Sequence, residues 1–482
     1  MLDTVTLAGG DFDSDHSPVM SVLKIRLKSS AKLNNRPALF NIHLLKDPQT
    51  HQTYIDELST QISDLLSNIP VTLSKEDIDK LVTDSSKIIS KVAMSALGTK
   101  KGDKKPWITN EIILLCTEKR KHNNRSDRES RDRYKQLKRT VEKAACRAHR
   151  TYIKDKCEQC EADFKRGDSY FMYNRVRELT SKKSLSSCTL LDKNGSQIQS
   201  TEGIRSRWME HFKEKLNPDI FPNSAVLDLL PVTVSDPSPP PLRSEVEDAI
   251  QALKTNKAPG PDGIQAELLK VRCEPLIDLF HKIVSGAWQK SHFPTSWCEA
   301  TIVPLHKKGS KAVCDNYRPI SLTSQTAKIF TRIILQRIRA VSSLVIQEYQ
   351  AGFRPGRSTV DQIFTVRQIL EKYLEFGRGL YQLFIDFRQA FDLIWRNGLW
   401  HILLHYGIPR NLVDLIKDMY SKFGSRVMTS EGLTDSFQTS AGVLQGCLLS
   451  PELFNLFLTA VLSLVETTCG AHIGGVQIDK LA

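Results

Sequence analysis

Residues 383–392 constrain the fold of this chain most, because they place single carboxylates inside an apolar run, LFIDFRQAFD. The aliphatic and aromatic residues of 383–387 predict a buried strand. Burial of Asp386 is costly unless a cation or several hydrogen-bond donors meet it. The segment therefore predicts a sheet strand whose one acidic residue, Asp386, has a functional role.

A second constraining segment, residues 441–451, reads AGVLQGCLLSP and has glycines on both sides of Gln445. The two glycines allow a tight bend and close approach of the backbone to a partner. Ser450 and Pro451 predict the N-cap and the first turn of a new helix. Together the two segments indicate a metal-dependent nucleotidyl-transfer site.

The two segments resemble motifs A and B of the reverse transcriptases of LINE-type (non-LTR) retrotransposons. The resemblance implies RNA-directed DNA synthesis, in which a primer 3′-hydroxyl attacks the α-phosphate of a deoxynucleoside triphosphate between two Mg²⁺ ions. It implies an RNA template and a DNA primer or target as partners, and it makes Asp386 catalytic and a metal ligand. In this family two further aspartates lie in a Tyr-Ala-Asp-Asp hairpin that follows a segment resembling 474–482. We therefore expect an incomplete palm and a catalytically incomplete fragment.

Residues 293–322 resemble the fingers hairpin of the same family, with a first strand at 301–305 and a return beginning at 317–319. Arg and Lys at the tip of such a hairpin can bind a triphosphate, Arg through two parallel hydrogen bonds and Lys as a point charge. With motifs A and B included, the resemblance assigns nucleotide binding to Lys307, Lys308, Arg318, Phe387, Phe391, Gln445 and Gly446. In that assignment Phe391 excludes a 2′-hydroxyl, while Asp392 has a local capping or orienting role.

Residues 350–359, QAGFRPGRST, resemble the template-binding segment of non-LTR and group II intron enzymes, with Arg354 and Arg357 as the template-binding residues. Taken alone, each of these basic segments is also compatible with a solvated turn. Helix starts are expected nearby. Ser244 and Glu247 predict a capping box, and Asp262 predicts the cap of the following helix.

The chain is basic, with 67 Lys and Arg, 54 Asp and Glu, a net charge of +13 and a pI near 9.2. Residues 100–183 contain 25 Lys and Arg against 13 Asp and Glu, a difference of +12, so nearly all of the excess lies in this region. Helical periodicity extends over 54–208, and within it the apolar stripe comprises Tyr134, Leu137, Val141, Ala145, Ala148 and Tyr152. The charge favours a surface for an RNA or DNA backbone, and a solvated helix is the alternative.

Cys146, His149, Cys157 and Cys160 are ligand types that suit zinc. Their helical context and the seven-residue linker disfavour a zinc site, so buried cysteines are expected instead. Ten cysteines in 482 residues do not indicate a disulfide scaffold. We expect an intracellular protein, and the family resemblance implies a ribonucleoprotein of the nucleus or cytoplasm.

Residues 14–18, SDHSP, followed by an alternating segment at 19–27, resemble the last catalytic loop and closing strand of the apurinic-endonuclease-like domain that precedes many such reverse transcriptases. In that family the His is a base or phosphate-stabilising group and the Asp orients it, which assigns these roles to His16 and Asp15. We expect only a remnant of that domain and no endonuclease reaction. An ordinary turn is the alternative for this segment.

These observations predict an α+β chain with reverse transcriptase fingers and an incomplete palm, preceded by a basic and mostly helical region. The expected divisions are an endonuclease-like remnant at 1–28, a basic helical region at 29–216, a Pro-rich linker at 217–243 and the reverse transcriptase domain at 244–482. Two other functions stay open. One is a nucleic-acid-binding relic without chemistry, and the other is a group II intron-like maturase, which the endonuclease-like remnant disfavours.

Overall fold

The computed structural model describes residues 3–6, 19–22, 39–99, 107–122, 127–180, 190–219, 222–465, 470–473 and 476–482. The helices are α1 Pro48–Ser67, α2 Lys75–Leu97, α3 Asn110–Lys121, α4 Arg128–Lys165, α5 Ser169–Thr180, α6 Thr201–Lys215, α7 Arg243–Gln251, α8 Ala266–Leu269, α9 Glu274–Gln289, α10 Gln325–Val345, α11 Thr359–Glu375, α12 Arg396–His405, α13 Arg410–Lys422 and α14 Ser450–Ser463. The strands are β1 Asp3–Thr6, β2 Val19–Val22, β3 Leu190–Leu191, β4 Gln197–Ile198, β5 Glu299–His306, β6 Tyr317–Thr323, β7 Gly424–Thr429, β8 Gly432–Leu433, β9 Phe437–Gln438, β10 Ala471–Ile473 and β11 Val476–Ile478.

A five-stranded mixed sheet carries the fingers hairpin. Its strand order is β6-β5-β7-β8, and β9 also pairs with β7. β5 and β6 are antiparallel, from Ala300 opposite Thr323 to His306 opposite Tyr317, whereas β5 and β7 are parallel. This hairpin is confirmed at the predicted place.

The main hydrophobic core joins the first two helices to the polymerase-like region. Tyr54, Leu58 and Ile62 of α1 are fully buried in the same core as residues of α9, α10, α13 and α14. The Tyr54 hydroxyl donates to the carbonyl of Leu268 at 3.2 Å. The boundaries at 29–216 and 244–482 stay a prediction, but α1 and α2 pack with the second of these regions.

A second core lies between α6 and the five-stranded sheet. Trp208 and Phe212 of α6 pack against Ile302 of β5 and Val427 of β7. The rings of Trp208 and Phe212 stack with centroids 5.7 Å apart. α6 is therefore the helix that covers this side of the sheet next to motif B.

α4 is a continuous helix of 38 residues that packs against α3 and α5. The predicted apolar stripe is its least exposed face, and Leu137 is buried. Near the end of α4 the buried Asp163 accepts hydrogen bonds from Arg166 and from Arg175 of α5. The expectation of buried cysteines is wrong, because Cys146 and Cys157 lie on the solvent side of α4.

The predicted strand at 383–387 is wrong. The segment has no regular secondary structure and belongs to no strand of the described sheets. Its side chains are exposed, to 86% at Leu383, 82% at Phe384 and 72% at Ile385. A strand needs a partner for its backbone N–H and C=O groups, and no described strand pairs with this segment.

Two predicted helix caps are displaced. α7 begins at Arg243, so Glu245 rather than Glu247 reaches back and accepts from the Leu242 N–H at 2.8 Å. α14 begins at Ser450 itself, after Leu449, and the Ser450 hydroxyl donates to the Leu444 carbonyl at 2.8 Å. Pro451 does lie in the first turn, as predicted.

Asp262 does not cap the short helix that follows it, which is the third displaced cap. Its carboxylate accepts from the Ile264 N–H at 3.2 Å and from the hydroxyl of Ser324, the N-cap residue of α10. Burial raises the pKa of Asp262, and the hydrogen bond from Ser324 opposes this. Asp262 thus connects the loop after α7 to the start of α10.

β1 and β2 are antiparallel, with Asp3 opposite Val22. β2 lies within the strand expected at 19–27, and residues 23–27 as well as Asp15 and His16 lie outside the described residues. The segment at 231–242 has no regular secondary structure and is mostly exposed, as expected of the Pro-rich linker. Within the described ranges, every helix is too short or too polar to cross a membrane.

Candidate nucleotidyl-transfer site

The motif A segment has an exposed half and a buried half. Asp386 and Phe387 lie in the exposed half, and the Phe387 side chain is 52% exposed. Further along, Asp392 and Ile394 are buried against motif B. The structure therefore keeps Asp386 apart from the packed contacts that Asp392 makes.

The motif B loop lies directly on the second half of motif A. The N–H groups of Gly442 and Val443 donate to the carbonyls of Ile394 and Phe391, both at 2.8 Å. Gly442 has a φ of 76°, and a Cβ there would collide with the Asp392 carbonyl. Only glycine fits this position, because both its backbone conformation and its contact exclude a side chain.

The same loop is joined to the fingers hairpin. Ser321 of β6 donates its N–H to the Gln445 carbonyl at 2.6 Å. Gly446 has a φ of 121°, and a Cβ there would collide with the Ser321 carbonyl. β6 also carries Arg318, so the structure connects two of the predicted nucleotide-binding segments, motif B and the return strand of the fingers.

The side chain of Gln445 is held by a buried acid. Its Nε2 donates to Asp392 Oδ1 at 2.8 Å, and Asp392 Oδ2 lies 3.0 Å from Lys215 Nζ. The side chains of Lys215 and Asp392 are only 10% and 5% exposed. Asp392 is thus an orienting residue, as the sequence indicated. Lys215 was not identified from the sequence, in which no local pattern distinguishes it.

Arg396, at the start of α12, is a second buried residue that the sequence did not reveal. Its guanidinium donates to the carbonyls of Gly442 and Ala441, both at 2.9 Å, and also contacts both the carbonyl and the hydroxyl of Thr439. It lies over the Tyr420 ring, 5.0 Å from the centroid. Burial lowers the pKa of Arg396 to about 10.

Phe391 belongs to a cluster of three rings. It stacks on Phe454 of α14 with centroids 5.1 Å apart and meets the Phe353 ring edge-on at 5.6 Å. Phe391 is half-buried in this cluster. The cluster therefore connects motif A, the segment at 350–359 and α14, the helix that follows motif B.

The fingers residues are solvent-facing. Lys307 and Lys308 follow β5 at the tip of the hairpin, and Arg318 lies opposite Leu305 in the register; all three cations are exposed. Exposure leaves them free to meet a triphosphate, and it is equally compatible with a solvated basic turn.

The segment at 350–359 uses its first arginine internally. Arg354 donates to the carbonyls of Gln347 and Gln350 at 2.8 and 3.0 Å, while Arg357 pairs with Glu348. Template binding by these two arginines stays a prediction. Of the two, Arg357 is the more accessible, with 43% of its side chain exposed against 17% for Arg354.

A buried polar network places this segment on α14. Gln350 is fully buried, donates to the Asn455 carbonyl at 3.1 Å and accepts from the Thr459 hydroxyl at 2.8 Å. Asn455 in turn donates to the Gly352 carbonyl at 2.9 Å. The helix that follows motif B therefore fixes the position of the predicted template-binding loop.

A two-metal site does not fit the described residues. Asp386 is exposed, and within the described part of the chain no group of three or more His, Cys, Asp or Glu is placed to hold a metal ion. One carboxylate supplies too few ligands for two Mg²⁺ ions, which prefer octahedral oxygen coordination.

The zinc candidates lie along one helix, where Cys146 and Cys160 are about 21 Å apart. His149 there meets the Trp107 ring edge-on, with centroids 5.1 Å apart.

Comparison with protein families shows what residues 305–478 are similar to. The reverse transcriptase (RNA-dependent DNA polymerase) family matches residues 305–478, which contain β6, motifs A and B and α14. Residues 305–478 of this chain are therefore similar to the reverse transcriptase family. The expected α+β class with reverse transcriptase fingers is confirmed.

The curated proteins that are similar to this chain are transposon proteins. The transposon TX1 uncharacterized 149 kDa protein of Xenopus laevis is 30% identical to this chain over 316 residues. That alignment covers 64% of this chain and 24% of the Xenopus protein. The chain is 25% identical to the probable RNA-directed DNA polymerase from transposon X-element of Drosophila melanogaster. It is 23% identical to the RNA-directed DNA polymerase from mobile element jockey of Drosophila funebris. Each of these two alignments covers 93% of this chain and 49% of the relative. These relatives confirm the LINE-type resemblance, and the chain spans about half the length of the two Drosophila polymerases.

Proposed function

We propose that this chain supplies the fingers and the motif A and B part of the RNA-directed DNA polymerase of a non-LTR retrotransposon. The observation that carries the proposal is the position of the motif B loop. It is hydrogen-bonded to motif A through Phe391 and Ile394 and to the fingers strand through Ser321. A nucleotide lying against this loop would therefore contact elements that the fold already holds together.

Within this proposal the incoming deoxynucleoside triphosphate meets three groups of residues. Lys307, Lys308 and Arg318 bind its phosphates, since all three are exposed cations of the fingers hairpin. Phe391 limits the space beneath the sugar, and Phe387 is the neighbouring exposed ring. Gln445 and Gly446 contact the base pair from the motif B side.

The RNA template and the DNA primer complete the proposed partners. Arg357, with 43% of its side chain exposed, is the arginine of 350–359 best placed to meet a template phosphate. Arg354 then acts by shaping the loop through its two carbonyl contacts. A role of Asp386 as a metal ligand rests on its place in motif A, because the described residues around it do not form a two-metal site.

The proposal is tested by nucleotide binding to the full chain in complex with an RNA template and a DNA primer. We expect the deoxynucleoside triphosphate that is complementary to the next template base to bind more tightly than a mismatched one. Arg318→Ala should weaken this binding about tenfold, because one charge-assisted contact is lost. Arg410→Ala, an exposed arginine of α13, is the matched control. Equal binding of matched and mismatched nucleotides would reject the proposal.

A specific observation also favours the second function, nucleic-acid binding without chemistry. The cations of α4 recur at every fourth position, at Arg131, Lys135, Arg139, Lys143 and Arg147, and all five are exposed. Lys135 lies 3.8 Å from Asp132, while the other four pair with no acid among the described residues. We name this row of five the basic ridge.

The basic ridge suits a phosphate backbone. Its cations follow one another at about 6 Å along the helix axis, over about 24 Å in all. The apolar stripe of α4 lies on the opposite side, where α3 and α5 pack, so the ridge faces solvent. Such a row can bind any sequence, since phosphate contacts carry affinity without reading bases.

A further inference from the structure

The end of α6 contacts the segment that leads into motif B at several points. The Leu216 carbonyl accepts from the Ala441 N–H at 3.3 Å. The Asn217 side chain donates to the Gln438 carbonyl at 3.1 Å and accepts from the Ser440 N–H at 2.8 Å. Residues 216 and 217 thus hold residues 438–441 through one main-chain hydrogen bond and two that involve the Asn217 side chain.

Lys215 adds a charged contact to this junction. Its ammonium lies 3.0 Å from Asp392 Oδ2, and Asp392 Oδ1 accepts from Gln445 Nε2 at 2.8 Å. Each carboxylate oxygen therefore has one partner. Both charged side chains are at least nine-tenths buried, so the desolvation of each charge is offset mainly by the other.

This arrangement determines which way the Gln445 amide points. An ionised carboxylate only accepts hydrogen bonds, so the amide must present its NH₂ group to Asp392 and turn its oxygen the other way. Without Lys215, Asp392 would be a buried carboxylate lacking a counter-charge, and its side chain would move towards water. Gln445 would then lose the acceptor that fixes its orientation.

We propose that Lys215 is a positioning residue for Gln445 and acts through Asp392. The part of this proposal that concerns nucleotides rests on the proposed function, in which Gln445 contacts the incoming base pair. Lys215 lies outside residues 305–478, the part that the reverse transcriptase family matches. The nucleotide-selecting surface of this chain thereby includes the end of α6.

The first experiment measures hydrogen exchange of the amides of residues 443–447 in the full chain and needs no nucleotide. Lys215→Met should accelerate their exchange at least tenfold while the amides of α9 are unaffected, and Lys215→Arg should restore slow exchange because it keeps the charge. Lys213→Met, an exposed position of the same helix, should change nothing. Lys215→Gln replaces Lys215→Met if the latter does not fold, since Gln still fills the site and donates. Unchanged exchange at 443–447, or equal acceleration throughout the chain, would overturn the proposal.

The second experiment measures the preference for the complementary over a mismatched nucleotide. Lys215→Met and Gln445→Ala should each reduce this preference about tenfold, and the double variant should be no worse than Gln445→Ala alone. If the tenfold losses of the two single variants multiplied in the double variant, Lys215 would not act through Gln445. If the unaltered chain shows no preference at all, the proposed function fails, and hydrogen exchange alone then decides the role of Lys215.

Discussion

The Arg396 guanidinium donates to the Gly442 carbonyl at 2.9 Å, at the one motif B position where a Cβ would collide with motif A. Arg396 also reaches the Ala441 carbonyl and the Thr439 carbonyl and hydroxyl. Its charge is buried and is neutralised mainly by these main-chain dipoles and the Tyr420 ring. Arg396 therefore adds charge-assisted hydrogen bonds to those that Leu216 and Asn217 make with the approach to motif B.

Arg396→Met should lower the free energy of unfolding by about 3 kcal/mol, because several charge-assisted hydrogen bonds are lost and buried carbonyls lose their donor. Arg396→Lys should recover little of this, since one ammonium cannot reach carbonyls spread over three residues. Urea unfolding of the two variants tests this. Full recovery by lysine would show that the charge alone matters.

The stability of the chain should fall between pH 6.5 and pH 4 because of His211. Burial lowers the pKa of His211 from 6.5 to about 4, so the folded chain keeps this imidazole neutral while the unfolded chain protonates it. The stability that the neutral imidazole gives the folded chain is fully present above about pH 6.5 and is lost as the pH falls towards 4. The loss is about 1.4 kcal/mol for each unit by which the folded pKa lies below the unfolded one. Between pH 6.5 and pH 4 the free energy of unfolding of the His211→Phe variant should fall by about 2 to 3 kcal/mol less than that of the unaltered chain.

Thermal unfolding across the same pH range measures this difference. His43→Phe is the matched control, because His43 is exposed. An identical pH dependence in the chain with His211 and the chain without it would contradict the prediction.

Binding to structured RNA or to DNA should depend steeply on salt. If each of the five cations of the basic ridge meets one phosphate, the slope of log K against log salt is about −3.5 to −4.5. Exchange of Arg131, Arg139 and Arg147 for Glu should reduce the slope to about −2, because three of the cations are lost. Exchange of the exposed Lys75, Lys80 and Lys91 of α2 for Glu is the charge-matched control.

Fluorescence anisotropy over a salt series provides these slopes. Binding that does not depend on salt, or equal effects of the two triple variants, would mean that the basic ridge is only a solvated face of α4.

Primer extension should fail for this chain alone in Mg²⁺ and deoxynucleoside triphosphates, although nucleic acid is bound. The described residues offer Asp386 without companions that could complete a two-metal site. Asp386→Ala should leave nucleic-acid affinity unchanged within about twofold, because phosphate neutralisation supplies most of it. Template-dependent incorporation that Asp386→Ala abolishes would show that other residues provide the missing ligands.

The chain should self-associate through residues 383–385. Leu383, Phe384 and Ile385 are exposed side by side in a segment without regular secondary structure, which offers apolar surface to another copy. Exchange of all three for Ser should lower the apparent mass in light scattering. Exchange of the exposed Val360, Ile363 and Phe364 of α11 serves as the comparison, and equal effects would mean that exposed apolar area alone drives association.

The parts of the fold that local sequence determines were predictable. The fingers hairpin has its strands, basic turn and return within residues 299–323, so short-range pattern suffices. The apolar stripe of α4 follows from helical spacing alone. The prediction of a strand at 383–387 was wrong because a strand forms only beside a partner strand. The apolar residues of a segment do not indicate which other segment provides that partner.

The site was predictable only where family motifs carry it. Gln445 and Asp392 stand in motifs, but Lys215 and Arg396 act through partners distant in sequence and lie in ordinary helical contexts. The caps of α7 and α14 each differ from prediction by one or two positions, since more than one nearby polar residue can satisfy the first turn and packing selects among them.

The burial of α1 and α2 in the main core bears on how this chain can be divided. Gly286 of α9 faces Leu73, which leads into α2, and Asp79 of α2 accepts from the Thr295 N–H at 2.7 Å. A recombinant piece that starts at residue 244 would expose the apolar side of α9, where Tyr54 and Leu58 now pack. A fragment that keeps the main core intact must therefore include α1 and α2, which belong to that core and do not form a separable module.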